Sequence, residues 1–434
     1  MNNREATNVG KFSNKLSVIF LILSTISVMA YYRHGGTRDF GLYVRAGDAF
    51  IHGENAYITQ SWRSGSVGAV FIWFLSLPFS QYLQVWLFQL INFAGFWNFC
   101  RIFIKKWKHQ YWIFGLLLFL SPIREVINTL QITGLVFGLL SLYLMKNPFS
   151  FGMKHRLFQI FQSIALGLAI DLKPHSILIV VALLGIAGFK RFEILLAVNI
   201  ILVCHLGIDL IHQRILEFDW LRGLFKLGNT SGENGESTSI WKLIDNITHS
   251  SINTGIISIC AVTISFLFSI SRINKSPNLN LVILGLLTTA LIPYMHYYDL
   301  APLAVIALVK FMQSGNSVFG LTLIMFLILP REISSPENVL ILVCLVILIQ
   351  FVKSGSLSEL IKNNSWCIRT IFAVVTFCGL HAFNSQFNLN YRDGHTLMTS
   401  ESMIMIWLWV TERSNPGMAS KLFNIMKRMG KQEK

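Results

Sequence analysis

A small set of polar residues stands at the edges of long apolar runs. Asp39 lies in Arg38-Asp39-Phe40-Gly41-Leu42-Tyr43-Val44-Arg45-Ala46-Gly47-Asp48-Ala49-Phe50. Lys173 lies in Asp171-Leu172-Lys173-Pro174-His175, and His296 in Pro293-Tyr294-Met295-His296-Tyr297-Tyr298-Asp299. Arg124-Glu125, Arg331-Glu332 and Gln131 complete the set. Polar groups this close to apolar runs are functional candidates by default. A carboxylate such as Asp39 can take a proton from a hydroxyl. Cations such as Lys173, His296, Arg124 and Arg331 can stabilise charge growing on a leaving phosphate. Together they suit attack of an alcohol on a sugar with departure of phosphate. That logic requires no metal, and no DxD pair is present to bind one.

Each of these residues also has a structural reading. Asp39 can be a helix-start acid favoured by the dipole. Lys173 can snorkel to an interface, with Pro174 in the first turn of the next helix. Tyrosines near 294–298 fit an interfacial aromatic belt, which explains His296 and Asp299 poorly. The two Arg-Glu pairs read as local ion pairs. Gln131 reads as a sugar contact or a helix–helix contact. At helical spacing Asp39, Tyr43, Gly47 and Phe50 share one face, with Asp48 near the opposite one. The segment is amphipathic and suits the outer membrane surface. Gly53 and Asn55 end it.

The elements that must position these residues follow from composition. Of 434 residues, 53% are hydrophobic and 13% charged, against about 25% charged in soluble domains. So few charges cannot cover a soluble surface, so an all-α polytopic membrane protein is expected. A crossing helix needs roughly 20 apolar residues. Thirteen candidate spans fit: 16–32, 82–104, 112–122, 130–146, 158–171, 174–188, 193–208, 255–271, 279–295, 300–312, 317–330, 338–352 and 368–385. Several are short, which makes the expectation about 11 to 13 transmembrane helices. The stretch 66–79 reads as re-entrant or interfacial. The first run follows Arg4, Lys11 and Lys15 and lacks a small-x-small cleavage site, so it reads as an uncleaved helix. Two outer loops are long, 33–65 and 209–254, and the second contains the flexible GNTSGENGESTS.

The net charge of +15 first suggests nucleic acid. Placed along the chain, the excess falls on the proposed inner loops, while the outer segments are slightly acidic. This is the positive-inside pattern. It puts the N-terminus in the cytoplasm and removes the nucleic-acid reading. Asp39, Lys173, His296, Arg124 and Arg331 then fall on one outer side, where they can converge on a cavity. The six cysteines read as buried thiols, with no CxxC and no zinc-like cluster. No P-loop or GxGxxG is present, which argues against an ATP-driven motor. The tail, 386–434, is basic, and its MIMIWLWV is too short to span. It reads as an interfacial helix or as the sign of a miscounted span.

At these residues the chain resembles the GT-C superfamily of polytopic glycosyltransferases, most closely glycosyltransferase family 87, the polyprenyl-phosphate-mannose-dependent mannosyltransferases. The family's first-loop pattern is matched by Asp39-Phe40, Tyr43, Ala46, Gly53 and Tyr57. Gln131 in LQITGLVFGLLSL is similar to its Gln-containing helix. Lys173-Pro174 resembles its Lys-Pro helix start, and Pro293 with His296-Tyr297-Tyr298 its Pro-His-Tyr segment. The matches run in order over residues 16 to about 312.

The resemblance implies a GT-C domain over 1–385, with two amphipathic helices in the first outer loop. It implies inverting transfer of a hexose, most naturally mannose, from a polyprenyl-phosphate donor to a glycan or glycolipid acceptor. Asp39 would be the base, and Lys173 and His296 would face the donor phosphate. Tyr43, Arg38, Gln131, Tyr297, Arg124 and Arg331 would be further site residues. No cofactor is implied beyond the lipid-linked donor. The site would face outward from a multi-pass plasma (inner) membrane protein. The family's Asn-Gln-Ser stretch is replaced by Glu236-Ser237-Thr238-Ser239-Ile240, which leaves the acceptor open. Two other readings remain: a transporter or flippase of a lipid-linked solute without chemistry, and an inactive relative or assembly partner.

Overall fold

A computed structural model describes residues 38–59, 62, 64–103, 117, 120–173, 176, 179–180, 191–216, 218–220, 297–302, 304–306 and 308. The described residues are helical, with no strand among them. The candidate spans 16–32, 255–271, 279–295, 317–330, 338–352 and 368–385 lie outside them, as do most of 174–188 and of the 209–254 loop, and the tail from 386.

Helix α1 spans Arg38–Ile51. Phe40, Tyr43, Ala46, Gly47 and Phe50 are buried, while Arg45 and Asp48 are exposed. The apolar face expected on the membrane surface is instead covered by protein. Gly47 lies against Ala69 and Trp73, and the Phe40 and Phe88 rings meet at a tilt with centroids 4.3 Å apart. Trp73 Nε1–H donates to Asp48 Oδ1 at 3.1 Å. Gly53 ends the helix at φ +80, and the Glu54 N–H closes the turn on Ala49 O at 2.8 Å. That is the left-handed helix stop that glycine tolerates. One further turn, α2, spans Ala56–Thr59. Asn55 Oδ1 caps it by accepting the Tyr57 N–H at 3.0 Å.

The longer helices are α3 (Ser66–Ser76), α4 (Gln81–Phe103), α5 (Ser121–Asn128), α6 (Thr133–Leu144), α7 (Met153–Leu172) and α8 (Arg191–His212). A one-turn 3-10 segment spans Tyr297–Leu300. The expected spans 82–104 and 193–208 are close to α4 and α8. The span 158–171 begins earlier, at Met153. The span 130–146 is only the 12 residues of α6, about 18 Å long. Within the described part of the span 112–122, Leu120 is extended and the short α5 starts at Ser121. The stretch 66–79 is an 11-residue helix, about 16 Å against a hydrocarbon core of about 30 Å.

Leu130 explains why α6 starts late. It sits at φ 55, a left-handed conformation that costs roughly 1–2 kcal/mol in a non-glycine residue. The Gln131 N–H closes the motif on Val126 O at 3.0 Å, and the chain turns between α5 and α6.

The helix pairs α4–α6, α6–α7 and α7–α8 pack side by side, as does α1 on α3. The α4–α6 contact is backbone to backbone. A Cβ on Gly95 would meet Gly134, and one on Gly134 would meet Asn92. Gly134 and Gly138 form a small-xxx-small stripe of the kind that lets membrane helices approach. At the other end of α6, Gln162 Nε2 of α7 donates to the terminal carbonyls of Leu142, Tyr143 and Met145.

Helix α8 is long and apolar enough over Phe192–His212 to cross a membrane, and 11% of its apolar window is buried. A soluble core helix would be mostly covered. Its exposed side chains include Leu195, Leu202, Val203, Leu206 and Leu210.

Candidate functional site

Asp39 and Arg38 are the first two residues of α1, described by their backbone alone. One turn further on, Tyr43 is buried and its hydroxyl donates to Gln131 Oε1 at 3.4 Å. The two residues are 88 positions apart. The Leu130 turn presents Gln131 to this contact. The Tyr43 ring meets Trp62 edge-on at 4.8 Å, and Trp62 Nε1–H donates to Gly65 O at 3.3 Å.

Gly65 leads into the second half of the site. Its N–H donates to Asp171 O at 2.7 Å. The Asp171 carboxylate accepts the Gly68 N–H at 2.6 Å. Gly65, before the first turn of α3, has no side chain to cap it. Asp171 supplies that cap from α7, placing a negative charge at the positive end of α3. Only glycine fits at 65, where a Cβ would strike the carboxylate.

Asp171 also holds His205. His205 Nε2 lies 2.6 Å from Asp171 Oδ1, and its Nδ1 lies 2.9 Å from Ser66 Oγ. With the ring proton on Nε2, the ring donates to the carboxylate and accepts the serine hydroxyl, which satisfies both contacts. Ser66 and Asp171 are buried.

Two residues beyond Asp171 the helix ends. Lys173 is extended, at φ −135 and ψ 96, as the residue before proline prefers. Lys173 is 5% exposed and Asp299 8%. Lys173 Nζ lies 2.7 Å from Asp299 Oδ1 and 5.3 Å from the centre of the Tyr298 ring. Lys173 is therefore a buried cation already paired with a carboxylate. Asp299 sits in the 3-10 turn that packs against α5, which carries the half-buried Arg124.

Of the sequence-derived set, Tyr43 and Gln131 touch each other. Lys173 is joined to them through Asp171, Gly65 and Trp62. Tyr297 begins the 3-10 turn, described by backbone alone. His296 and Arg331 lie outside the described residues. Ser66 and His205 were not evident as site residues. His205 had a readable signal, an ionisable group inside an apolar run. The Lys173 partner of Asp299 and the Gly65 and Gly68 partners of Asp171 were not readable, since they lie more than 100 residues away.

The two long loops also meet. His212 Nε2 donates to Phe50 O at 2.9 Å, and Asn55 Nδ2 donates to Asp219 Oδ2 at 2.9 Å. No protein-family model, curated protein or solved structure matches this chain.

Proposed function

We propose that this chain is a multi-pass membrane glycosyltransferase. It would move a hexose, most naturally mannose, from a polyprenyl-phosphate donor to a glycan or glycolipid acceptor on the outer face of the plasma membrane. One observation carries the reading. Tyr43 and Gln131, drawn from two separate segments of the family-like pattern, are hydrogen-bonded, and a continuous chain of contacts leads from them to Lys173. The meeting of the 33–65 and 209–254 loops also supports placing both on one side.

The reaction assigns one role to each group. The acceptor hydroxyl loses its proton to the Asp39 carboxylate. Its oxygen bonds to the anomeric carbon from the face opposite the phosphate. The bond from that carbon to the phosphate oxygen breaks, and phosphate leaves with the electron pair. Opposite-face attack inverts the anomeric centre. Lys173, beside the departing phosphate, offsets its growing charge. Its ammonium must then exchange Asp299 for the phosphate.

The transporter reading draws on the short helices α3 and α6, which resemble the broken helices of carriers. One assay separates the two. Membranes holding the protein are given polyprenyl-phosphate-mannose labelled in the sugar, with extracted glycans and glycolipids as acceptors. Labelled glycan product supports the transferase. Label that crosses the membrane still attached to its lipid supports transport.

A further inference from the structure

The pairing of Lys173 with Asp299 bears on how phosphate would enter. An ammonium buried this deeply needs a compensating charge at all times. Asp299 supplies it at 2.7 Å. We propose that Asp299 is the resident counter-ion of an exchangeable phosphate site: its carboxylate occupies the Lys173 ammonium while the site is empty and yields to a phosphate ester. This rests on reading Lys173 as the donor-phosphate cation.

Both partners stand at the ends of helical elements. Lys173 leaves the end of a 20-residue helix, whose last turn is tied to α3 by the Gly65 N–H and Gly68 N–H bonds to Asp171, and to α8 by His205. Asp299 sits in the 3-10 turn Tyr297–Leu300, which leads directly into helical residues 301–302 and 304–306. Exchange then needs only a rotation of the Asp299 side chain between its staggered positions. Lysine suits exchange as well, being a point charge with three rotatable donors rather than a fixed fork. The Tyr298 ring, 5.3 Å from Nζ, stays beside the ammonium through either pairing and tolerates the change of anion.

The charges give the direction. A sugar phosphodiester carries one negative charge, as Asp299 does, so donor and carboxylate compete evenly. A phosphate monoester carries about 1.5 to 2 negative charges at neutral pH, so the product, polyprenyl phosphate, holds Lys173 more strongly. Return of Asp299 would then help release it.

The test uses the full chain in phosphatidylcholine nanodiscs, with polyprenyl monophosphate as the probe. Asp299→Asn should bind it at least tenfold more tightly than the unsubstituted protein. Lys173→Gln should bind it at least tenfold more weakly. Equal or weaker binding by folded Asp299→Asn overturns the exchange. A second readout needs no substitution. Carbodiimide labelling of Asp299 should rise several-fold when polyprenyl monophosphate binds, and unchanged labelling with lipid bound overturns the proposal. Inorganic phosphate is run in parallel. The same pattern with inorganic phosphate at similar concentration supports exchange with free phosphate as the ligand. Exchange without sugar transfer would leave this inference standing and remove the transferase. Transfer without exchange would do the reverse.

Discussion

His205 meets the Asp171 carboxylate at 2.6 Å, and this contact ties α8, a helix long and apolar enough to cross a membrane, to the end of α7. The opposite ring nitrogen reaches Ser66, so one imidazole joins α3, α7 and α8. A polar group in an apolar helix is costly unless satisfied. Its presence here is explained by what it braces: the carboxylate that caps α3 and stands two residues before Lys173.

Replacing His205 with leucine should therefore destabilise the fold, although leucine suits an apolar helix better. The change leaves a buried carboxylate with one donor fewer, a loss of about 1.5–3 kcal/mol. Thermal unfolding in detergent measures it. An unchanged or raised midpoint would show that the brace contributes nothing.

Leu130 and Gln213 share a backbone conformation, at φ 55 and φ 52, yet glycine should act oppositely at the two sites. Gln213 is exposed, so Gln213→Gly relieves about 1 kcal/mol of left-handed strain and should raise the midpoint. Leu130 is fully buried. Leu130→Gly gains the same relief but loses roughly 2–3 kcal/mol of apolar burial, and should lower it. Changes of the same sign at both positions would contradict this balance.

The hydroxyl of Thr133 is buried, and no partner for it is found among the described residues. Valine has nearly the same shape without the polar atom. Thr133→Val should stabilise the protein by about 1 kcal/mol, read again from thermal unfolding. A clear loss would mean that a group beyond the described residues satisfies the hydroxyl.

Orientation can be read by labelling. In a variant without native cysteines, cysteine at exposed His52 or Arg214 should react with an impermeant maleimide added outside. Cysteine at Phe151, exposed between α6 and α7, should react only after the membrane is opened. Labelling of His52 and Phe151 from the same side would overturn the outward placement of the site.

Helical periodicity made the buried face of α1 readable through Tyr43, Gly47 and Phe50, and glycine chemistry marked its end at Gly53. Residue type alone singled out Gln131 and Lys173. Span lengths were less legible. Nothing in the sequence marks Leu130 as left-handed, so α6 looked long enough to approach a crossing. The face of α1 looked ready for lipid because its partner, α3, is itself apolar. The partners of Lys173 and Asp171 were hidden for a different reason. An ion pair joining residues 126 apart leaves no local pattern, and a cap supplied by another helix leaves the capped one with a glycine that looks like an ordinary turn.

Transfer by an Asp39→Asn variant tests the central claim most directly. Asparagine keeps the size of aspartate and cannot accept the proton as a carboxylate does. Membranes holding the unsubstituted protein should transfer labelled mannose from polyprenyl-phosphate-mannose to acceptor. The variant, with an unchanged unfolding midpoint, should lose at least about 100-fold in rate, within the range that general-base catalysis supplies. Transfer at the full rate by folded Asp39→Asn, or no transfer by the unsubstituted protein with donor and acceptor present, would contradict the account.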